Sequence, residues 1–134
     1  MKGYTEDDGK LVRAFTDYAG LYARAKLMKN QPPFDLPTRW TQSKAKLNLN
    51  TPINFVSTHD ITGGNSGSPM VNRAGEFVGL IFDGNLQSLA WDYAFTEKQG
   101  RAISVDSAAI LEALNKVYAT TELARELVNG RRGK

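Results

Sequence analysis

Ser66 lies in a turn made almost entirely of small residues, and a serine hydroxyl can act as a nucleophile. Residues 64–69 read GNSGSP. Because glycine lets the backbone turn sharply, the N–H groups of Gly64 and Ser66 can point into one hollow and stabilise an oxyanion. Pro69 fixes the chain where it leaves the turn. The spacing therefore indicates acyl transfer with Ser66 as nucleophile, and a plain tight turn is the alternative.

Two other chemistries that use a glycine-rich turn do not fit the residues around this one. A phosphate-binding loop ends in a lysine and opens a helix, whereas Pro69 and a strand follow here. The nucleophile elbow of α/β-hydrolases reads Gly-x-Ser-x-Gly and turns from strand into helix, but Ser68 stands where its last glycine should be. The turn that fits is the serine-peptidase turn of the double β-barrel fold, Gly-x-Ser-Gly-x-Pro, followed by a strand, a hairpin and a second strand.

The segments around the turn predict an antiparallel sheet. Five runs predict strands: 53–58, 68–71, 76–83, 89–95 and 101–105. The turn residues at 72–75 join the second and third runs into a hairpin. The third run is almost continuously apolar, so we expect both of its faces to be buried. The absence of helices between these strands argues against a doubly wound α/β fold.

The segment before the sheet predicts a short helix and an extended connector. Residues 1–10 read as a polar leader, and the apolar spacing over 11–28 predicts an amphipathic helix. Residues 30–40 contain three prolines, so they predict an extended connector rather than a helix. Residues 41–50 are ambiguous between a short helix and the start of a strand.

The C-terminal part of the chain predicts helices. From Asp106 onward the apolar residues follow a helical period, with Asp106 or Ser107 as the N-cap. A last short helix is predicted to begin at Thr121 and to stop at Gly130.

Composition excludes several classes of function. The 134 residues carry a net charge of +3 and 41% hydrophobic residues, which indicates one globular domain. No basic stripe alternates with aromatic residues, so we expect no nucleic-acid partner. No apolar run reaches membrane-spanning length and the N-terminus has no apolar signal core, so we expect neither a membrane segment nor an export signal. With no cysteine and one histidine, we expect no disulfide, no metal site and no cofactor.

The single histidine, His59, precedes the turn. The base of a catalytic triad normally comes from across the cleft and not from the strand that leads to the nucleophile. A surface or turn histidine beside Asp60 is therefore favoured over a general base, although the role of His59 stays open. It has no histidine or cysteine partner that would make a metal site.

The stretch STHDITGGNSGSPMVNRAGEFVGLIFDGN resembles the nucleophile region of the dipeptidyl-peptidase 7/11 family of bacterial serine peptidases. FDLPTRW upstream and GRAISVDSAAILEALNKVY downstream are similar to that family as well, so the resemblance extends from about Phe15 to Leu127. It implies a mainly β fold, namely part of the second antiparallel barrel of a chymotrypsin-like protein, with a short N-terminal helix and a C-terminal helix. It also implies three segments: a connector with a short helix and a Pro-rich stretch (1–46), the barrel part with its closing helix (47–130) and a basic tail (131–134).

The same resemblance implies roles for individual residues. Ser66 matches the nucleophile, and the N–H groups of Gly64 and Ser66 match the oxyanion hole. Asp83 matches the residue that holds the free α-amino group of the substrate, which would be a charge-assisted contact. Gly84 matches the specificity position, and glycine there implies aliphatic or aromatic residues before the scissile bond. A turn after a strand is the alternative for Asp83 and Gly84.

The family's catalytic histidine and aspartate have no match in this chain, and a lone serine is a weak nucleophile without a base. The resemblance therefore implies the nucleophile half of a dipeptidyl-peptidase that acts on peptides with a free N-terminus. The missing N-terminal catalytic portion is an expected partner, and the full-length enzyme is expected to be a periplasmic or secreted homodimer. The alternatives are a non-catalytic fragment or peptide-binding remnant and a trypsin-like serine endopeptidase.

Overall fold

The computed structural model describes residues 1–131, which group into two compact units. The first unit consists of Met1–Thr16 and Pro52–Ser107, and the second consists of Asp17–Thr51 and the described residues 108–131. The units alternate along the sequence, and the division into segments 1–46, 47–130 and 131–134 stays a prediction. Residues 132–134 of the predicted basic tail lie outside the described residues.

The first unit is built on antiparallel strands. Their bounds are Tyr4–Thr5 (β1), Leu11–Val12 (β2), Phe15–Asp17 (β3), Pro52–Ser57 (β4), Pro69–Val71 (β5), Phe77–Gly84 (β6) and Ala102–Asp106 (β7). β1 and β2 form a two-stranded ribbon, and the other five form one sheet in the order β3-β4-β7-β6-β5. β7 pairs antiparallel with β4 and β6, and β5 pairs antiparallel with β6. The predicted sheet, with helices before and after it in the sequence, is confirmed, and its closure into a barrel stays a prediction.

Strand β6, which lies between β7 and β5, has buried residues on one face only. Gly79 and Ile81 are buried on that face, and a Cβ on Gly79 would collide with the carbonyl oxygen of Val105 on β7. On the opposite face Val78 and Leu80 are only half-buried, and Phe82 is 46% exposed. The prediction that both faces are buried is therefore wrong, because only the side carrying Gly79 and Ile81 packs against the core.

Residues 89–95 do not form the predicted strand. A 3₁₀ helix runs over Leu86–Asp92 instead, and it begins where the side chain of Asn85 accepts a hydrogen bond from the N–H of Ser88. Trp91 is the buried residue of this helix, and its indole N–H donates to the carbonyl of Thr96 at 3.0 Å. The Asn85 cap explains the difference, because it satisfies the first helical donors.

The N-terminal predictions also need correction. Residues 1–10 are not a free polar leader, because β1 pairs with β2 in the register Tyr4 with Val12. The predicted helix over 11–28 is helical only over Tyr18–Leu27 (α1), since β2 and β3 occupy its first residues. Asp17 sets the start of α1: its carboxylate accepts a hydrogen bond from the N–H of Gly20 at 2.8 Å.

The second unit contains the helices. Besides α1 they are Thr38–Ser43 (α2), Ser107–Lys116 (α3, which starts in the first unit) and Thr121–Asn129 (α4), with a 3₁₀ turn over Lys44–Lys46. The two predicted C-terminal helices are confirmed, and Gly130 ends α4 in the left-handed conformation at φ 63°. The connector predicted over 30–40 ends at Pro37, because α2 begins at Thr38. Among residues 1–131, no helix has both the length and the apolar character that crossing a membrane requires.

Candidate active site

The glycine turn between β4 and β5 is held by its own hydrogen bonds. The N–H of Asn65 donates to the carbonyl of Thr62 at 3.3 Å, and the Asn65 side chain accepts from the N–H of Thr62 at 2.8 Å. Gly64 and Gly67 have φ values of 98° and 88°, a region that residues with a side chain rarely adopt. The glycines at positions 64 and 67 are therefore explained by the backbone conformation that the turn adopts there.

The turn is attached to β6, and this brings Ser66 to the end of that strand. The N–H of Gly67 donates to the carbonyl of Ile81 at 2.8 Å, and the N–H of Ile81 donates to the carbonyl of Ser68 at 3.0 Å. The exposed hydroxyl of Ser66 lies 3.4 Å from the carbonyl oxygen of Phe82. Ser66 is thus held beside the residues that follow Phe82 on β6.

Two backbone donors of the motif at 64–69 remain available for a ligand. Within residues 1–131, the N–H groups of Gly64 and Ser66 donate to no protein acceptor, whereas those of Asn65, Gly67 and Ser68 do. These two free donors are the ones that the sequence assigns to an oxyanion hole, where backbone N–H groups stabilise developing negative charge.

Ser66, Asp83 and Gly84 line one cleft with a volume of about 240 Å³. Gly64 itself does not line the cleft, although its neighbours Gly63 and Asn65 do. The apolar part of the wall comes from four side chains: Ile61, Ile81, Phe82 and Leu89. Its two acidic residues are Asp83 and Asp92, and within residues 1–131 no lysine, arginine or histidine lines it. The cleft therefore combines a hydroxyl, negative charge and apolar surface.

Asp83 and Gly84 occupy adjacent positions where β6 ends. The carboxylate of Asp83 accepts a hydrogen bond from the N–H of Gly84 at 2.8 Å and is otherwise exposed. A Cβ placed on Gly84 would collide with the Oγ of Ser88. A side chain at position 84 would therefore require the Ser88 hydroxyl to move.

Sequence reasoning missed Ser88 and Asp92, which also line the cleft. Both lie on the 3₁₀ helix over Leu86–Asp92, and only the last four residues of this helix fall in the strand predicted over 89–95. Asparagine is a preferred N-cap residue, and Asn85 is the signal that could have found this element.

His59 does not contribute to the cleft wall. Its Nδ1 lies 2.9 Å from the hydroxyl of Ser57, and the residue is exposed in the loop after β4. No group of three or more potential metal ligands occurs in the part of the chain that the structure describes.

The chain belongs to peptidase family S46: the family described as Peptidase S46 matches residues 1–129. It is 33% identical to the dipeptidyl-peptidase 7 of Phocaeicola vulgatus, over 95% of this chain and 18% of that protein. It is 45% identical to an Asp/Glu-specific dipeptidyl-peptidase of Shewanella putrefaciens, over 57% of this chain and 10% of that protein. The resemblance seen in the sequence is thereby confirmed.

A solved structure matches the fold. The crystal structure of Porphyromonas endodontalis DPP11 in complex with substrate superposes with a TM-score of 0.79 at 25% identity, over 96% of this chain and 19% of that one. The chain therefore spans no more than about a fifth of the length of these relatives.

Proposed function

We propose that this chain is the nucleophile-bearing part of a serine dipeptidyl-peptidase that releases dipeptides from free peptide N-termini. The observation that carries the proposal is the single cleft lined by the Ser66 hydroxyl and the Asp83 carboxylate, beside the two free N–H groups of the glycine turn. Membership of the peptidase S46 family and relatives named dipeptidyl-peptidases support it.

Each group has a distinct task in this proposal. Ser66 attacks the scissile carbonyl, and the N–H groups of Gly64 and Ser66 stabilise the oxyanion that forms. Asp83 holds the substrate ammonium, which fixes the distance from the N-terminus to the scissile bond. The hydroxyl proton must pass to a base. We assign that base to a part of the S46 peptidase that this chain does not span.

We also propose that the residue before the scissile bond is aliphatic or aromatic. Four apolar side chains and Gly84 line the cleft, and the charged residues that face it are acidic. A substrate carboxylate would meet negative charge there without a compensating cation. Some relatives are named Asp/Glu-specific, so acidic substrates are the alternative that measurement must exclude.

The 134-residue chain on its own should not react with a fluorophosphonate probe, because within residues 1–131 no histidine lines the cleft beside Ser66. The measurement is gel fluorescence after labelling, with Ser66→Ala as the control and circular dichroism as the check on folding. Labelling of the wild-type chain that disappears in Ser66→Ala would show that a base lies within these residues. The assignment of the base to another part of the peptidase would then be wrong.

Free-amine dipeptides should bind the chain about 10-fold more tightly than acetylated ones, because only an ammonium forms a charge-assisted bond with Asp83. Titration of the ¹⁵N-labelled chain with Ala-Leu and N-acetyl-Ala-Leu measures the difference by NMR. Asp83→Asn should remove this preference, whereas Asp92→Asn, which neutralises the other carboxylate of the cleft, should keep it. Equal binding of the two ligands by the wild type would favour the endopeptidase alternative.

A further inference from the structure

Ser88 completes the wall of the cleft at Gly84. A Cβ on Gly84 would collide with the Oγ of Ser88, whereas the Cβ of Ser88 and the Cδ1 of Ile61 would lie at ordinary contact distances of 3.4 and 3.5 Å. The hydroxyl oxygen of Ser88 therefore occupies the space in which a side chain at position 84 would begin. The two residues share one volume at the edge of the cleft.

The orientation of Ser88 is fixed by Asn85. The Ser88 hydroxyl donates to the carbonyl of Asn85 at 2.7 Å, and the Ser88 N–H donates to the Asn85 side-chain oxygen at 3.1 Å. Asn85 is itself held, because its side-chain oxygen accepts from the N–H of Arg101 at 2.8 Å and its amide nitrogen donates to the carbonyl of Gln99 at 2.8 Å. Rotation of the hydroxyl away from Gly84 would break the bond to Asn85.

The hydrogen-bonding state of Ser88 determines what it offers to a ligand. A hydroxyl has a single proton, and that of Ser88 is directed to Asn85. The oxygen therefore faces the cleft with lone pairs only. Such an acceptor repels a carboxylate and can receive a hydrogen bond from a carboxamide.

We infer that Ser88 is a specificity-determining residue of this cleft: its oxygen excludes a side chain at position 84 and selects against acidic substrate side chains. The inference rests on the proposed function, and it adds a residue to the pocket. It implies that an asparagine before the scissile bond is accepted better than an aspartate of nearly the same shape.

Stability measurements test the shared volume without any ligand. Gly84→Ala should lower Tm by about 3 °C in the wild type, because Ser88 must give up its bond to Asn85. In a Ser88→Ala background the same change should leave Tm unchanged or raise it, since Gly84 does not have a left-handed φ and alanine reduces the entropy of the unfolded chain.

Gly63→Ala is the matched control, because a Cβ there has no neighbour within 4 Å, and it should not lower Tm in either background. If Gly84→Ala changes Tm equally in the wild-type and Ser88→Ala chains, the inference that positions 84 and 88 share one volume is wrong.

Binding measurements test the selectivity. NMR titration of the wild-type chain should show Ala-Asn binding about 10-fold more tightly than Ala-Asp, and Ser88→Ala should reduce this ratio about threefold or more. Asp92→Asn, measured in parallel, shows how much of the preference for Ala-Asn over Ala-Asp is due to the charge of Asp92. A ratio unchanged by Ser88→Ala, in a chain that binds Ala-Leu, overturns the inference and leaves the proposed function standing. Failure of the wild type to bind any of the three dipeptides overturns the proposed function, and the selectivity with it.

Discussion

Replacing Arg101 by alanine is expected to lower the free energy of unfolding by about 3–5 kcal/mol. Arg101 is 1% exposed, and within residues 1–131 its guanidinium donates only to backbone carbonyls. Its Nε bonds to Lys2 at 2.8 Å and its Nη2 to Gly3 at 2.8 Å. Its Nη1 bonds to Glu97 at 2.9 Å and to Gly100 at 2.6 Å. Alanine would leave these carbonyls without their donor.

This arginine is unusual because carbonyl dipoles, and not a carboxylate, balance its charge. Within residues 1–131 no carboxylate lies at ion-pair distance from it, and the ring of Tyr4 lies 5.5 Å from its Cζ. The guanidinium ties the N-terminal ribbon to the loop over 96–100, next to the Asn85 cap of the cleft wall. Lysine carries the charge as a single point and cannot reach all of these carbonyls, so Arg101→Lys should recover only part of the stability.

Urea unfolding of Arg101→Ala and Arg101→Lys, followed by circular dichroism, measures these losses. Arg73→Ala is the control, because Arg73 is exposed in the β5–β6 turn, and we expect a change below about 0.5 kcal/mol. If Arg101→Ala does not fold, the lysine variant supplies the measurable loss. A stability of Arg101→Ala within about 1 kcal/mol of the wild type would contradict the prediction.

The sequence gives no local sign of this role for Arg101. Its position before β7 looks like an ordinary surface arginine, and two of its acceptors lie at the opposite end of the chain, in Lys2 and Gly3. Such contacts depend on which segments the fold brings together. The motif at 64–69 could be interpreted because its chemistry depends on neighbouring residues, namely glycines at left-handed positions and a proline at the exit.

The wrong secondary-structure predictions have a different, local origin. The run LAWDYAF has the composition of a strand, but one capping side chain, Asn85, directs it into a 3₁₀ helix. Asp17 likewise begins α1 later than the apolar spacing suggests. A single side chain that satisfies helical donors outweighs a weak apolar period, and the sequence could have located Ser88 and Asp92 only if this cap had been recognised.

Tyr18 should make the stability of the chain fall at alkaline pH. The residue is 1% exposed, and its hydroxyl donates to the carbonyl of Ala109 at 2.9 Å. Burial raises the pKa of Tyr18 to about 12 from its ordinary value of 10.0, with smaller contributions from the carboxylate of Glu112 and the phenols of Tyr22 and Tyr118. The fold therefore favours the neutral phenol.

The raised pKa of Tyr18 determines how the stability of the fold depends on pH. Because the pKa is higher in the folded state, the stabilisation is complete below pH 10 and is lost as the pH rises towards 12. A difference of about 2 in pKa corresponds to about 2.7 kcal/mol. Burial also raises the pKa of Tyr22, whose hydroxyl donates to the carbonyl of Trp40 at 2.6 Å, so Tyr22 acts in the same direction.

Replacing Tyr18 by phenylalanine separates the effect of Tyr18 ionisation on stability from the effects of all other groups that ionise at alkaline pH. Tyr18→Phe should cost about 1 kcal/mol at pH 8 through the lost bond to Ala109, yet its stability should fall less steeply above pH 10. The two curves of unfolding free energy against pH, measured by urea unfolding, should therefore converge or cross between pH 10 and about 12. Tyr93→Phe is the matched control, because Tyr93 is 93% exposed, and it should follow the wild-type curve. Equal slopes for Tyr18→Phe and the wild type would mean that the fold does not hold the proton of Tyr18, because a group that keeps its ordinary pKa on folding cannot link stability to pH.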